Sequence, residues 1–274
     1  MSNPALSPAV EGGARLLANL DTVLLSRVED AGLNASAPPQ QRWLDGWLVR
    51  LSPGKAQRAR CINAVAAGRR AVADKLAECA ALFAEAGLPL LVRVTPFTQP
   101  ADLDHQLAAN GWALHDETRV MVLPTLSPRP ATPAPRGATL LAADASSYAP
   151  IVGTLRGTSL AGQAAHAERL STSPVPYLGY VLHDERGAVL GCAQIAREGP
   201  LVGLYDVHTA DGARGKGFAS WICEHLLSES AKEGAASAYL QVGADNHAAR
   251  RIYARMGFVD AYGYHYRVAP AALA

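Results

Sequence analysis

Hydrophobic and polar residues follow two periods in the second half of the chain, and each period is typical of one kind of secondary structure. Short apolar or alternating runs predict strands, and apolar residues at every third or fourth position predict helices. The predicted strands are 138–142, 177–183, 189–196, 201–207, 238–242, a segment around 258, and 262–268. The predicted helices are 146–155, 160–170, one that ends near 233, and 247–256. Helices that alternate with a mixed sheet in this way predict an α/β (α+β layered) fold.

The first half of the chain carries a weaker version of the same pattern. Strand-like segments lie at 43–52, 90–95 and 119–123, and helical segments lie at 69–86 and 101–109. The order strand, helix, glycine and strand in 90–123 repeats the order in 238–268. A stretch with four prolines, 125–137, separates the halves and predicts an extended linker, since proline blocks helix continuation and sheet pairing.

Composition and charge narrow the classes of function. A net charge of +1 without a long basic run argues against nucleic acid and anionic membranes as partners. The apolar stretches are shorter than a membrane span, and the first residues lack the pattern of a secretory signal. Cys61, Cys79, Cys192 and Cys223 lie far apart, which favours reduced, partly buried thiols of a cytoplasmic protein. The histidines are spread out without ligand spacing, so no metal is expected.

The most informative motif is Arg214-Gly215-Lys216-Gly217-Phe218-Ala219. It follows the predicted strand 201–207 and opens a predicted helix. The first amides of a helix have no intrahelical acceptor and lie at the positive end of the helix dipole, so such a turn suits a phosphate. The two glycines allow close approach of the backbone and a positive φ.

A second motif lies about thirty residues later, with Asn246, Ala248, Tyr253, Gly257 and Phe258 in order. Together the two motifs resemble the GNAT superfamily of acyl-CoA-dependent N-acetyltransferases. The resemblance implies a mixed, mostly antiparallel GNAT sheet flanked by helices. The weaker first half then resembles a degenerate GNAT-like domain, because 66–70 holds one glycine instead of two and the helix 101–109 has no tyrosine. The predicted division is 1–124, the linker 125–137 and a catalytic domain 138–274.

The resemblance assigns roles to individual residues. It implies acetyl-CoA as cosubstrate, with the backbone of Val207 to Thr209 pairing with the pantetheine amides and the strand 238–242 splaying away. Tyr253 matches the family's general acid, and a phenol is protonated at neutral pH; packing beside Met256 and Phe258 is the structural alternative. Asn246 would bind the cofactor or cap the helix after it. The implied cofactor-binding residues are Val207, His208, Thr209, Arg214, Gly215, Lys216, Gly217, Phe218, Ala219, Asn246 and Tyr253.

The general base stays open between two residues. Asp206 and His208 lie two apart and are expected on one face of their strand. His208 has the more suitable intrinsic pKa, whereas a carboxylate is the commoner choice in the family. A polar pair at the end of a strand explains either residue equally well. The segments 43–47 and 58–63 either wall the acceptor site or the domain interface, or form ordinary strand packing and a solvated basic loop.

The resulting hypothesis is an N-acetyltransferase that moves an acetyl group to a primary amine of a small molecule or peptide, by direct attack in a ternary complex. The alternative is an acyl-CoA-binding regulatory module without catalysis. The acceptor site is expected in 146–176, where Thr158, Ser159 and Gln163 are candidates. The sequence leaves the acceptor, the acyl chain length and a homodimer open.

Overall fold

A computed structural model describes residues 14–54, 56–130 and 132–270. Within these ranges the chain forms twelve strands and seven α-helices. The strands are β1 (Arg15–Leu16), β2 (Gln41–Leu44), β3 (Trp47–Arg50), β4 (Ile62–Ala64), β5 (Leu91–Val94), β6 (Ala113–Leu123), β7 (Ala138–Ala143), β8 (Tyr177–Asp184), β9 (Val189–Glu198), β10 (Leu201–Thr209), β11 (Ser237–Gly243) and β12 (Val259–Val268). The helices are α1 (Thr22–Ala35), α2 (Val72–Glu85), α3 (Leu103–Ala109), α4 (Ala145–Leu155), α5 (Leu160–Ser171), α6 (Phe218–Lys232) and α7 (His247–Arg255).

All twelve strands belong to one sheet. Its order is β2-β3-β4-β5-β12-β6-β11-β10-β9-β8-β7, and β1 pairs with β12. Only β4 with β5 and β10 with β11 run parallel, and every other neighbouring pair is antiparallel. The predicted fold class, a mixed and mostly antiparallel sheet flanked by helices, is therefore confirmed.

The two halves of the chain exchange strands at the middle of the sheet. β6, from the first half, pairs with β11 of the second half, where Met121 lies opposite Leu240. β12, from the second half, pairs with β5 of the first half, where Tyr266 lies opposite Arg93. β6 and β12 also pair with each other. Each half thus completes its sheet with a strand of the other half, and the boundaries at 124 and 138 stay a prediction.

Helices cover both faces of the second half of the sheet. On one face, apolar side chains of α6 and α7 pack with Val202 and Leu204 of β10. The opposite face is covered by α1, whose Leu25, Val28 and Ala31 pack against residues such as Tyr205. α4 packs on that same side, against β8 and β9. Successive side chains of β10 point to opposite faces, so the strand is buried on both.

Two local predictions need correction, and one helix was not predicted. The segment 43–52 is a hairpin, because Asp45 (φ 43°) and Gly46 (φ 84°) turn the chain between β2 and β3. The two strands predicted around 258 and 262–268 form one strand, β12, with register shifts inside it. The sequence also missed α1, whose buried face includes the charged Glu29 and the small residues Ala31, Gly32 and Ala35 beside Leu25 and Val28.

The proline-rich segment carries no helix or strand in its described residues, 125–130 and 132–137. It packs along α6 and the start of β11. The amide of Leu126 donates to the Ala236 carbonyl (2.7 Å), and the Ser228 hydroxyl donates to the Arg129 carbonyl (2.9 Å). The indole of Trp221 donates to the Thr132 carbonyl (3.2 Å). The segment thus follows the surface of the second half.

Two further findings concern the cysteines and the membrane. The four cysteines are free and buried. Burial raises the pKa of the Cys61 and Cys192 thiols to about 11. Among the described residues, no helix combines the length and the apolar character needed to cross a membrane.

A buried ion pair joins α1 to the middle of the sheet. The Arg93 guanidinium of β5 donates two hydrogen bonds to the Glu29 carboxylate, and the Tyr262 hydroxyl donates a third at 2.7 Å. Arg93 also lies over the ring of Tyr264, 4.0 Å from its centroid. Burial by itself raises the pKa of Glu29, but the charge and hydrogen bonds of Arg93 outweigh it, so the pKa lies below its usual value.

Replacing Glu29 with alanine is expected to destabilise the protein by about 3–5 kcal/mol, because Arg93 would stay buried without an anion. Urea unfolding of the variant measures this change. Glu85→Ala, an exposed position at the end of α2, is the control and should change the free energy of unfolding by less than about 0.5 kcal/mol. Equal effects of the two substitutions would contradict the structural role of the Glu29–Arg93 pair.

Candidate functional site

The turn before α6 has the backbone that the glycine motif predicts. β10 ends at Thr209, a short 3-10 helix follows at Asp211–Ala213, and α6 begins at Phe218. Gly215 and Gly217 have φ angles of 77° and 81°, and a Cβ at either position would meet no atom within 4 Å. Backbone conformation therefore requires glycine here.

The start of α6 offers free amides to a ligand. Gly217 caps the helix without a side-chain hydrogen bond, and the first intrahelical bond runs from the Trp221 amide to the Gly217 carbonyl (3.0 Å). The amides of 218–220 precede that bond. The cationic side chains at the turn are exposed: Arg214 pairs with Asp211 at 2.7 Å, and the Lys216 ammonium donates to the Gly212 carbonyl at 3.2 Å.

The sheet opens beside this turn. The parallel pairing of β10 with β11 ends at Leu204 and Leu240, although the strands continue to Thr209 and Gly243. A β-bulge between Tyr205 and His208 turns β10, and Asp206 within it has a φ of 51°. The backbone of 205–209 thus lacks a partner strand on the β11 side. The strand predicted to splay away, 238–242, is β11, and it separates from β10 only after Leu240.

The opening leads into a cleft of about 630 Å³ between the two halves of the chain. Its walls come from five parts of the fold. The strand ends contribute 204–207 and 240–243, the start and body of α7 contribute Asn246, Ala249 and Tyr253, and β12 contributes Tyr264 and Tyr266. The α4–α5 region and the first half supply further polar side chains, among them Arg156, Thr158, Gln163, His166, Arg169, Gln57, Arg58, Arg60 and Asp116.

Tyr253 and Asn246 each have the expected structural contacts and also line the cleft, and their proposed roles toward acetyl-CoA stay predictions. The Tyr253 side chain is buried and packs edge to face on Phe258, yet it lines the cleft. Burial raises the pKa of the Tyr253 phenol above its usual value, so the phenol stays protonated. The Asn246 side chain accepts a hydrogen bond from the Ala249 amide (3.1 Å) and so caps α7, and it lines the cleft as well.

Asp206 lies between two cationic or ionisable side chains of the α4–α5 region. Its carboxylate is 2.6 Å from the Arg156 guanidinium and 3.2 Å from Nε2 of His166. Burial by itself raises the pKa of Asp206, but His166 and the Arg156 charge reverse the effect, and the pKa lies far below its usual value. The carboxylate is therefore an anion that positions its neighbours, and it is a weak proton acceptor.

His208 lies outside the walls of the cleft. Its Nε2 atom is buried and has no hydrogen-bond partner in the described part of the chain. Burial, together with the charges of Arg156 and Arg214, lowers the pKa of His208, so its imidazole is neutral near pH 7. Of the two predicted bases, only Asp206 faces the cleft.

Several residues of the cleft were missed or underrated by the sequence. His166 and Arg156 lie on helices whose apolar spacing carries no chemical signal. Arg58 and Arg60 line the cleft between the two halves, so 58–63 lies at this interface and is not a solvated loop. Trp43 is different: its side chain is exposed on the edge strand β2, while Trp47 is buried against Lys75. The described residues contain no cluster of ligands for a metal ion.

The comparison with known families identifies the class of protein. Residues 22–267 match a family described as "Probable histone acetyltransferase Rv0428c C-terminal". The match spans most of the chain, and the protein belongs to this family. It is thus an acetyltransferase of the GNAT superfamily, as the two motifs imply. A curated relative, N-alpha-acetyltransferase 40 of Saccharomyces cerevisiae, is 32% identical over 94 residues, which are 32% of this chain. The chain spans only 33% of that relative's length.

Solved structures confirm the fold. A GCN5-related N-acetyltransferase from Kribbella flavida has a TM-score of 0.64 at 17% identity, covering 90% of this chain and 95% of its own. A tandem GNAT protein from the clavulanic acid biosynthesis pathway has a TM-score of 0.58 at 16% identity, covering 73% of this chain and 71% of its own. At these identities the likeness establishes the fold alone, including its tandem form.

Asp206→Asn is expected to lower the free energy of unfolding by about 1–3 kcal/mol at neutral pH, because the Arg156 charge loses its partner. Asparagine tolerates the positive φ of this position. The pKa of Asp206 is lower in the folded than in the unfolded protein. Its ionised carboxylate therefore stabilises the fold at a pH above its unfolded pKa of about 3.9, and this stabilisation is lost as the pH falls toward the folded-state pKa. The difference between parent and variant in urea unfolding should therefore shrink in acid.

The control for this prediction is Asp211→Asn. This substitution removes the ion pair with Arg214, in which the Asp211 side chain is 85% exposed. Exposed pairs contribute at most about 1 kcal/mol, so this variant should unfold nearly like the parent. A loss for Asp206→Asn that stays the same from neutral to acidic pH would contradict the role of its charge.

Proposed function

We propose that the protein transfers an acetyl group from acetyl-CoA to a primary amine of a small molecule or peptide, by direct attack in a ternary complex. The observation that carries this proposal is the opening between β10 and β11 beyond Leu204 and Leu240. It brings unpaired strand backbone, the free amides of α6 and the Tyr253 phenol to one end of the sheet. Membership of an acetyltransferase family supports the same conclusion. A cytoplasmic location stays a prediction from the sequence.

The residues present fit acetyl-CoA. In the proposed complex the backbone amides of 215–219 bind the diphosphate, with added charge from Arg214 and Lys216. The free backbone of Val207, His208 and Thr209 pairs with the pantetheine amides in the way that an added strand would. Asn246 keeps its capping bond to α7 and faces the same opening. This arrangement places the thioester near Tyr253.

The chemistry needs one proton donor and one proton acceptor. The amine nitrogen bonds to the acetyl carbon, the carbon–sulfur bond breaks, and the Tyr253 hydroxyl gives its proton to the departing thiolate. The Tyr253 ring is buried, so this donor stays protonated until the sulfur leaves. The product is the acetylated amine with free CoA.

His166 is the best-placed acceptor for the proton of the attacking amine. It lines the cleft, and the Asp206 carboxylate 3.2 Å away would orient its ring. In this arrangement Asp206 acts as a positioning residue. The prediction of His208 as base has less support, because that side chain does not reach the cleft.

The acceptor is proposed only as a class. The family is described as a probable histone acetyltransferase, and the yeast relative is an N-alpha-acetyltransferase. Both descriptions fit an amine of a protein as the acceptor. The cleft lies between the two halves and is lined by polar side chains, which suits a small amine or the end of a peptide equally well.

Gly217→Val is expected to raise the dissociation constant of CoA by about tenfold or more, because a β-branched residue is strained at this φ and would displace the amides. Calorimetric titration of CoA measures this. Gly187→Val is the matched control, since Gly187 has nearly the same φ (80°) and open surroundings but lies in the β8–β9 hairpin. The two substitutions should lower the free energy of unfolding by similar amounts. Equal CoA affinity of the two variants would show that the turn does not hold the diphosphate.

Tyr253→Phe is expected to reduce acetyl transfer roughly 100-fold or more while CoA still binds, because only the donated proton is lost. Single-turnover transfer to a panel of amines measures the rate. Tyr180→Phe, a partly buried tyrosine on β8, serves as the control and should keep the parent rate. If the Tyr253→Phe variant transferred acetyl groups as fast as the parent, Tyr253 would not be the general acid. A parent protein that binds acetyl-CoA but transfers to no amine would instead be an acyl-CoA-binding regulatory module.

A further inference from the structure

The wall of the cleft that faces the opening is rich in arginine. Arg58 and Arg60 come from the first half of the chain, and Arg156 and Arg169 come from α4–α5. Only Arg156 has a carboxylate within 4.0 Å, namely Asp206. In the part of the chain that the structure describes, Arg58, Arg60 and Arg169 have no such partner.

Two of these side chains also have unused hydrogen-bond donors. The Nε atoms of Arg58 and Arg60 are buried and have no acceptor among the described residues. Arg58 donates once, to the Tyr264 hydroxyl at 3.4 Å, and lies over the Tyr205 ring at 6.0 Å from its centroid. A buried guanidinium without an anion is costly, and a ligand anion would satisfy both its charge and its donors.

The other charged groups around the cleft do not balance these arginines. Its carboxylates are Asp206, which Arg156 and His166 already contact, and Asp116, which is exposed at the rim. The neighbouring Arg50 is buried, and its partners are the neutral groups of Gln41, Ser36 and Leu33. Burial is the main cause that lowers the pKa of Arg50 to about 10; the charges of Arg93 and Arg169 act in the same direction, and the Glu29 carboxylate opposes them.

The diphosphate of CoA does not account for this charge. The turn 214–219, where the diphosphate is proposed to bind, is not part of the cleft wall. Arg58 and Arg60, from the first half of the chain, and Arg169, near the end of α5, line the cleft itself and not that turn.

We infer that the acceptor amine carries an anionic group, best a carboxylate, and that Arg58, Arg60 and Arg169 bind this group. The inference rests on the proposed acetyl transfer and specifies its substrate class. Guanidinium groups bind carboxylates through two parallel hydrogen bonds, which also fixes the orientation of the substrate. The same wall repels a peptide rich in lysine and arginine.

The test is acetyl transfer to paired acceptors that differ in charge alone. A series of ω-amino carboxylates of increasing chain length is compared with the corresponding carboxamides, together with an arginine- and lysine-rich peptide. The long members of each pair have nearly the same amine basicity, so the carboxylate is the variable. At least one carboxylate should have a kcat/KM roughly tenfold to hundredfold above that of its carboxamide, the range of a charged hydrogen bond.

The matching variant is Arg60→Gln, because Arg60 is only partly buried and its loss should leave the fold intact. It should raise KM for the preferred carboxylate about tenfold or more and leave KM for the carboxamide unchanged. Arg58→Lys keeps the charge but not the paired donors and should show an intermediate loss. Arg42→Gln, an exposed arginine on β2, is the control and should behave like the parent.

The outcomes separate this inference from the proposed function. Transfer that favours the carboxamides or the basic peptide overturns the inference and leaves acetyl transfer in place. The same KM change for carboxylate and carboxamide in Arg60→Gln also overturns it, since that pattern reflects altered packing. Binding of acetyl-CoA without transfer to any acceptor overturns the proposed function, and the inference with it.

Discussion

The pairing of β11 with β6 is the constraint on which the candidate site depends. On its other edge β11 leaves β10 after Leu240, but on the β6 edge it stays paired up to Gly243, opposite Thr118. β9 holds β10 in a similar way, and the bulge at Asp206 turns that strand further. The two strands are thus held apart by their outer neighbours. Because β6 belongs to the first half of the chain, the half without a glycine-rich turn of its own keeps the site of the second half open.

Charge is distributed around this opening in two different ways. In the scaffold, two carboxylates lie against cationic side chains: Glu29 faces Arg93 in the core, and Asp206 faces Arg156 at the base of the cleft. On the acceptor side the arginines outnumber the carboxylates. Buried charge without a partner costs stability, so a fold tolerates it mainly where a ligand supplies the missing ion. This contrast distinguishes the scaffold from the part of the cleft that recognises a substrate.

The sequence predicted those features whose signal is local. Glycine at 215 and 217, Asn246 and Tyr253 are placed by short motifs, and the positive φ angles and the cap of α7 follow from the residue types themselves. The strands and helices of the second half were likewise found from their periodicity. Features that depend on distant pairing were not predictable. The exchange of β6 and β12 and the approach of His166 to Asp206 join residues far apart in the chain.

The position of the segment 58–63 was also not predictable from local sequence signals. A basic segment is usually solvated, and nothing within it indicates which surface it meets. Only the continuous sheet brings Arg58 and Arg60 opposite the end of β10. Short motifs therefore do not reveal the contribution of the degenerate half. That half matters because it brings Arg58, Arg60 and β6 next to the second half.

The exchanged strands also determine when the protein can finish folding during its synthesis. β12 is the last of the twelve strands to leave the ribosome, yet it occupies the centre of the sheet, between β5 and β6. Until it arrives, both of those strands have an open edge with unpaired backbone groups, which is a liability for aggregation. Neither half of the sheet can be completed before β12 is available. Assembly of the sheet therefore depends on contacts of long sequence separation, which slow folding.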